Sequence, residues 1–92
     1  MLTIETYASQ QIRTLLPKCE KLEIELYIGD TDSSVDFFGT INGQRKQCLD
    51  FIDEGVISEK EYNKVAKDIV NFVRSSKNFR PGKVNKYRFD AI

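Results

Sequence analysis

Hydrophobic and polar residues change their period several times along this chain, and each change marks an element. Between Thr3 and Pro17, Ile4, Tyr7, Ala8, Ile12, Leu15 and Leu16 recur at helical spacing. With Thr3 as N-cap, the spacing predicts an amphipathic helix of about four turns. Pro17 ends it, because the residue before a proline avoids helical backbone angles. From Lys21 the period becomes two: Leu22, Ile24, Leu26 and Ile28 alternate with Glu23, Glu25 and Tyr27, as in a half-buried strand. Gly29 to Ser34 reads as a turn by composition. Alternation then resumes, with Val35, Phe37 and Ile41 on one face and Asp36, Phe38 and Thr40 on the other.

Register follows from the same pattern. If Ile28 faces Val35, then Leu26 meets Phe37, Ile24 meets Gly39 and Leu22 meets Ile41, so every aliphatic residue falls on one face. Gly39 then lies between larger neighbours, a place for a bulge or a close helix approach. Asn42-Gly43 is the strongest short hairpin signal, since both residues tolerate the positive φ of a type I′ turn. Gln44 to Gln47 is polar throughout and suits an edge strand guarded by charge.

At Cys48 the period turns helical again. A short helix or turn is expected over residues 48–54, stopped by Gly55, with continuation of the third strand to Ile52 as the alternative. Ser58 and Glu61 form a capping box ahead of the stripe Tyr62, Val65, Ala66, Ile69, Phe72 and Val73, which predicts a helix to about Ser75. Arg80-Pro81-Gly82-Lys83 has the proline and glycine of a type II turn. Val84 to Ala91 alternates as a last strand, expected to pair with a free edge of the hairpin sheet. The fold class is therefore α+β: two long helices packed on one face of a three- to four-stranded antiparallel sheet. The order is helix, strand, strand, strand, short helix, helix, strand. The expected core includes Ile4, Ile12, Leu15, Leu22, Ile24, Leu26, Val35, Phe37, Val65, Ile69 and Phe72.

Composition narrows the function. Ninety-two residues form one modest domain. No apolar run approaches the roughly 20 residues of a membrane helix. The start, MLTIETYASQ, lacks the basic and apolar regions of a signal peptide, which makes the cytoplasm the default compartment. Two cysteines and no histidine cannot build a structural zinc site, and the two thiols are expected to be reduced. The missing histidine removes the commonest general base, so an enzyme is not expected, and neither is a cofactor.

Zero net charge hides an asymmetry. Residues 1–40 hold seven acids against three bases, and the stretch from Arg74 to Arg88 holds six bases and no acid. Glu23, Glu25 and Asp36 share the solvent side of neighbouring strands with Tyr27 and Phe38, and Asp30 and Asp32 sit in the joining loop. Such an acidic and aromatic face is the first candidate, shaped to meet a basic site on a protein partner. Asp30-Thr31-Asp32 resembles the start of a calcium loop. Counting from Asp30, however, the sixth position is Val35 and the twelfth Ile41, where that loop needs glycine and glutamate. The rival candidate is the basic end, where Arg80, Lys83, Lys86 and Arg88, interleaved with Phe79, Tyr87 and Phe89, would suit RNA or DNA phosphates and bases. A pI of about 6.2 lies below the range usual for nucleic-acid domains. The same basic end could instead meet the chain's own acidic face, or that of a second copy.

The segment QQIRTLLPKCEKLEIELYIGDTDSSVDFFGTINGQ resembles the YezG-like immunity proteins of bacterial polymorphic toxin systems, and SEKEYNKVAKDIVNFVR resembles a later helix of that family. CLDFIDEGVISEKEYNKVAKDIV is also similar to the short helical module called SHOCT. The immunity resemblance implies a cytoplasmic, non-enzymatic inhibitor that binds a cognate toxin domain, as in contact-dependent growth inhibition. A nuclease toxin has a basic active site that an acidic face would be steered onto. The expected interface is Glu23, Glu25, Tyr27, Asp30, Asp32, Asp36 and Phe38. A small nucleic-acid-binding or regulatory protein and a homodimer built by edge pairing are the competing expectations.

Overall fold

The structure, a computed structural model, describes residues 2–91. Seven elements follow the expected order: α1 (Ile4–Leu15), β1 (Lys21–Ile28), β2 (Ser33–Ile41), β3 (Gln44–Gln47), α2 (Cys48–Asp53), α3 (Glu59–Arg74) and β4 (Asn85–Ala91). The fold is α+β, with four antiparallel strands in the order β3-β2-β1-β4.

Local chemistry explains the boundaries. The Thr3 hydroxyl accepts the Thr6 N–H at 3.1 Å and starts α1. The Ser58 hydroxyl accepts the Glu61 N–H at 3.0 Å and starts α3, which opens on Glu59 and closes on Arg74 as the helix dipole favours. Gly55, at φ 77°, stops the chain just past α2, so residues 48–53 are helix and the third strand ends at Gln47. Asn42 at φ 52° and Gly43 at φ 76° form the left-handed pair that turns β2 into β3. Gly82 takes φ 78° at the third position of the 80–83 turn, the value type II demands.

The expected register of β1 and β2 is corrected. Leu26 faces Val35, Ile24 faces Phe37, Leu22 faces Gly39 and Ile28 faces Ser33, two residues away from the register expected. The slip is an even number, so every side chain keeps its face. Its cause is the tight loop, in which the Gly29 N–H donates to the Asp32 carbonyl at 2.8 Å. Ser33 and Ser34 consequently extend β2 instead of belonging to the turn. Gly39 is a close-approach site: a Cβ there would stand 3.0 Å from Leu16 Cδ1 and 3.3 Å from the Phe51 ring.

The inner face of the sheet (Leu22, Ile24, Leu26, Ile28, Val35, Phe37) is buried under Ile12, Leu16, Val65, Ile69 and Val73. Burying each such side chain is worth roughly 1.5–3 kcal/mol. Tyr7 and Phe72 stack at 4.2 Å between ring centres and join α1 to α3. Leu15 and Phe72, expected in the core, are only partly buried; Leu16, at the cap of α1, fills the position beside Gly39. β4 starts at Asn85, and Val84 before it is exposed. Both cysteine thiols are free and buried.

Candidate functional site

All three helices pack on the inner side or its edge, which leaves the outer face of the sheet uncovered among the described residues. Alternation sends Lys21, Glu23, Glu25 and Tyr27 to this face from β1, and Asp36, Phe38 and Thr40 from β2. β3 contributes Arg45 and Gln47, because Arg45 pairs with Thr40 and Gln47 with Phe38. β4 contributes Lys86, Arg88 and Asp90, which pair with Tyr27, Glu25 and Glu23.

Bases therefore flank the acidic strand on both sides. Arg45 grips Glu23 with two nitrogens, at 2.6 and 3.2 Å, while its guanidinium lies 3.9 Å from the centre of the Phe38 ring. That bond holds the Glu23 carboxyl below its usual range. Arg88 stands 3.5 Å from Glu25, and Lys86 lies 5.0 Å above the Tyr27 ring. The acidic and basic candidate surfaces, far apart in sequence, are interleaved on one face. Phe38 is roofed by Arg45, and Tyr27 is left as the exposed aromatic, 48% accessible.

Asp36 has a different occupation. Its register places it opposite Glu25, at the point where β3 has ended and the edge of β2 is unpaired. There its carboxylate accepts from the Phe37 N–H at 2.8 Å, Gln47 Nε2 at 3.1 Å and Cys48 Sγ at 3.1 Å. The Tyr62 hydroxyl closes the same edge by donating to the Val35 carbonyl. Burial pushes the Cys48 thiol up to about 11, and the bond to Asp36 adds to the rise. Burial likewise pushes the Tyr62 hydroxyl up to about 12, with Cys48 and Asp36 contributing. This cluster is a clip that substitutes for a missing strand.

At one end of the outer face, Tyr27 meets a depression of about 450 Å³ between the 29–32 loop with the start of β2 and the 82–84 turn. Val84 shares its wall and is 50% accessible. The Gly82 N–H donates to Asp30 Oδ2 at 2.8 Å, tying the two loops together, and Asp32 and Lys83 line the rim. Behind it stands Asn85, 2% accessible. Its Nδ2 donates to the carbonyls of Ile28, Arg80 and Lys83 at 3.3, 3.1 and 3.1 Å, and its Oδ1 accepts the Arg80 N–H at 3.0 Å.

Of the residues expected at a partner interface, the structure brings Glu23, Glu25, Tyr27 and Phe38 onto one face, sets Asp30 and Asp32 at its end, and turns Asp36 to the edge. Of the basic set, Lys86 and Arg88 join that face, while Arg80 and Lys83 belong to the turn. Arg45 and Asn85 were missed. Arg45 read as an edge guard, and its place beside Glu23 depends on a register that local pattern does not supply. No family model matches this chain, and no curated protein or solved structure matches it. No helix among the described residues is long and apolar enough to cross a membrane.

Proposed function

We propose that this chain is a non-enzymatic inhibitor of the immunity-protein kind, which acts in the cytoplasm by docking its uncovered sheet face onto a toxin domain. The observation that carries the reading is that face itself: four strands wide, with Tyr27 exposed at a dent and charges of alternating sign around it. Exposed aromatics beside a concavity are the side chains that anchor protein interfaces. The resemblance of residues 10–44 to YezG-like immunity proteins supports a toxin as the partner.

The charge layout refines the partner's character. Glu23 and Glu25 are matched by Arg45 and Arg88, so the centre of the face favours a partner of mixed charge. Asp30 and Asp32 form the acidic end that would meet a basic rim, such as that of a nuclease site. Interleaved signs also break the continuous basic track that a phosphate backbone requires, which supports a protein partner over nucleic acid.

The test is the affinity of the wild type and of Tyr27→Ala for a candidate toxin domain, sought in the reading frame next to that of this chain. The expected loss is about 2 kcal/mol, or roughly thirtyfold. Leu49→Ala, an exposed α2 position away from the sheet face, should leave affinity unchanged. Equal affinities for wild type and Tyr27→Ala would remove the reading.

A further inference from the structure

The sheet has two edges, and they are unequal. β3 is four residues long and leads directly into α2, with Lys46 tied to Glu54 at 2.9 Å. β4 is seven residues long and, among the described residues, has a neighbour on one side only. The backbone groups it leaves free can be assigned by parity. On β2, the Thr40 carbonyl accepts from Glu20 on the β1 side, while the Val35 carbonyl bonds Tyr62 on the opposite side. Even-numbered residues of β2 thus face β1. Odd-numbered residues of β1 face back, and its even-numbered residues face β4. Through the pairs Ile24 with Phe89 and Leu26 with Tyr87, odd-numbered residues of β4 complete that ladder. The N–H and C=O groups of Lys86, Arg88 and Asp90 therefore point out of the edge, and among the described residues no loop or cap bonds to them.

We propose that β4 pairs antiparallel with β4 of a second copy about a two-fold axis at Arg88, which joins two sheets into one of twice the strands. Three independent features agree on this register. Arg88 is the midpoint of Asn85–Ala91, so all seven residues find partners. Lys86 then faces Asp90 of the second copy, and Asp90 faces its Lys86, giving two ion pairs on the outer face. On the inner face Tyr87 meets Phe89 of the second copy, also twice. The two Arg88 side chains at the axis each keep Glu25 as a counter-ion. Centring instead on Tyr87 would set Lys86 against Arg88 twice and form no Lys86–Asp90 pair, against the single like-charged contact of Arg88 with its own copy at the proposed axis. Parity also matches: Lys86, Arg88 and Asp90 carry the outward hydrogen-bonding groups in both copies, so the ladder closes without a bulge. The proposal stands apart from the toxin reading, since it uses the strand edge and not the face.

Sedimentation equilibrium over a concentration series tests it. The wild type should approach twice 10.6 kDa at high loading. Lys86→Asp and Asp90→Lys, each checked for folding by circular dichroism, should dissociate at least about tenfold more readily, because each puts like charges opposite one another twice. Mixing the two variants, or combining both changes in one chain, restores opposite-sign pairs and should restore the dimer. An assay on unaltered protein uses amide exchange. The Lys86, Arg88 and Asp90 amides should gain protection as concentration rises, while Tyr87 and Phe89 are protected throughout. A mass of 10.6 kDa at every concentration, or a dimer indifferent to the charge swaps, overturns the proposal.

Discussion

Asn85 should separate the loss of hydrogen bonds from the burial of a charge. Replacing it with alanine removes the two Nδ2 hydrogens, shared among three carbonyls at 3.1–3.3 Å, and the bond accepted by Oδ1 at 3.0 Å. At a net 0.5–1.5 kcal/mol each, with the turn carbonyls partly rehydrated, the expected cost is about 2–4 kcal/mol. For a domain of this length that lowers Tm by about 15 °C. Asn85→Asp is nearly the same shape, yet places a carboxylate oxygen where Nδ2 now meets three carbonyls. Its deficit near neutral pH should exceed that of alanine, since an unpaired buried charge costs about 3–5 kcal/mol. Those carbonyls disfavour the ionised form, so the introduced carboxyl has a folded-state pKa above its unfolded value. The extra deficit is accordingly absent below the ordinary carboxylate range and grows as pH rises through the raised value. Thermal unfolding of wild type and both variants, at about pH 7 and about pH 4, reads the difference directly. The reasoning fails if Asn85→Ala costs under about 1 kcal/mol, or if the gap between Asn85→Asp and wild type does not shrink on acidification.

Two further outcomes follow from the site. Cys48 and Tyr62 have folded-state values of about 11 and about 12, above the ordinary 9.0 and 10.0. Their contribution to stability is complete below pH 9.0 and is lost as pH rises towards about 12, so urea midpoints should fall across that window, less steeply in Cys48→Ala. Glu23→Gln and Arg45→Ala should each leave the unfolding midpoint nearly unchanged, with a small double-mutant coupling that shrinks in molar salt, as expected of an exposed ion pair. A coupling that salt does not alter would contradict the solvent-facing geometry.

The helices were legible in the sequence because their signals are local: Thr3, Ser58 and Gly55 act within a turn of themselves. The faces of β1 and β2 were legible for the same reason, since period two assigns every residue to a side. Their register was not, because a shift of two residues leaves that period untouched. The deciding bond, from Gly29 to Asp32, lies in a loop whose polar composition made Ser33 and Ser34 look like turn. The candidate site was half legible. Glu23, Glu25, Tyr27 and Phe38 could be placed on one face from alternation alone. Their neutralisation by Arg45 and Arg88 depends on which strands lie side by side, a matter of contacts spanning 22 residues in one case and most of the chain in the other. Asp36 shows the limit from another side: its alternation is outward, yet the early end of β3 draws its carboxylate to Cys48.

The position of β4 beside β1 also sets the order in which the molecule can form. α1, the two hairpins and the α2–α3 connection are built from neighbours in sequence, whereas the seam from Leu22–Ala91 to Ile28–Asn85 joins the two ends of the fold. Loop closure over such a span is slow compared with hairpin or helix formation. Until residues 85–91 have been made and have docked, β1 is itself an edge, presenting the backbone of its most apolar residues. A nascent or truncated chain therefore carries its greatest aggregation hazard in that interval. Lys18, Lys21, Glu23 and Glu25, charges set in and around the strand, are the gatekeepers available to it before the seam closes.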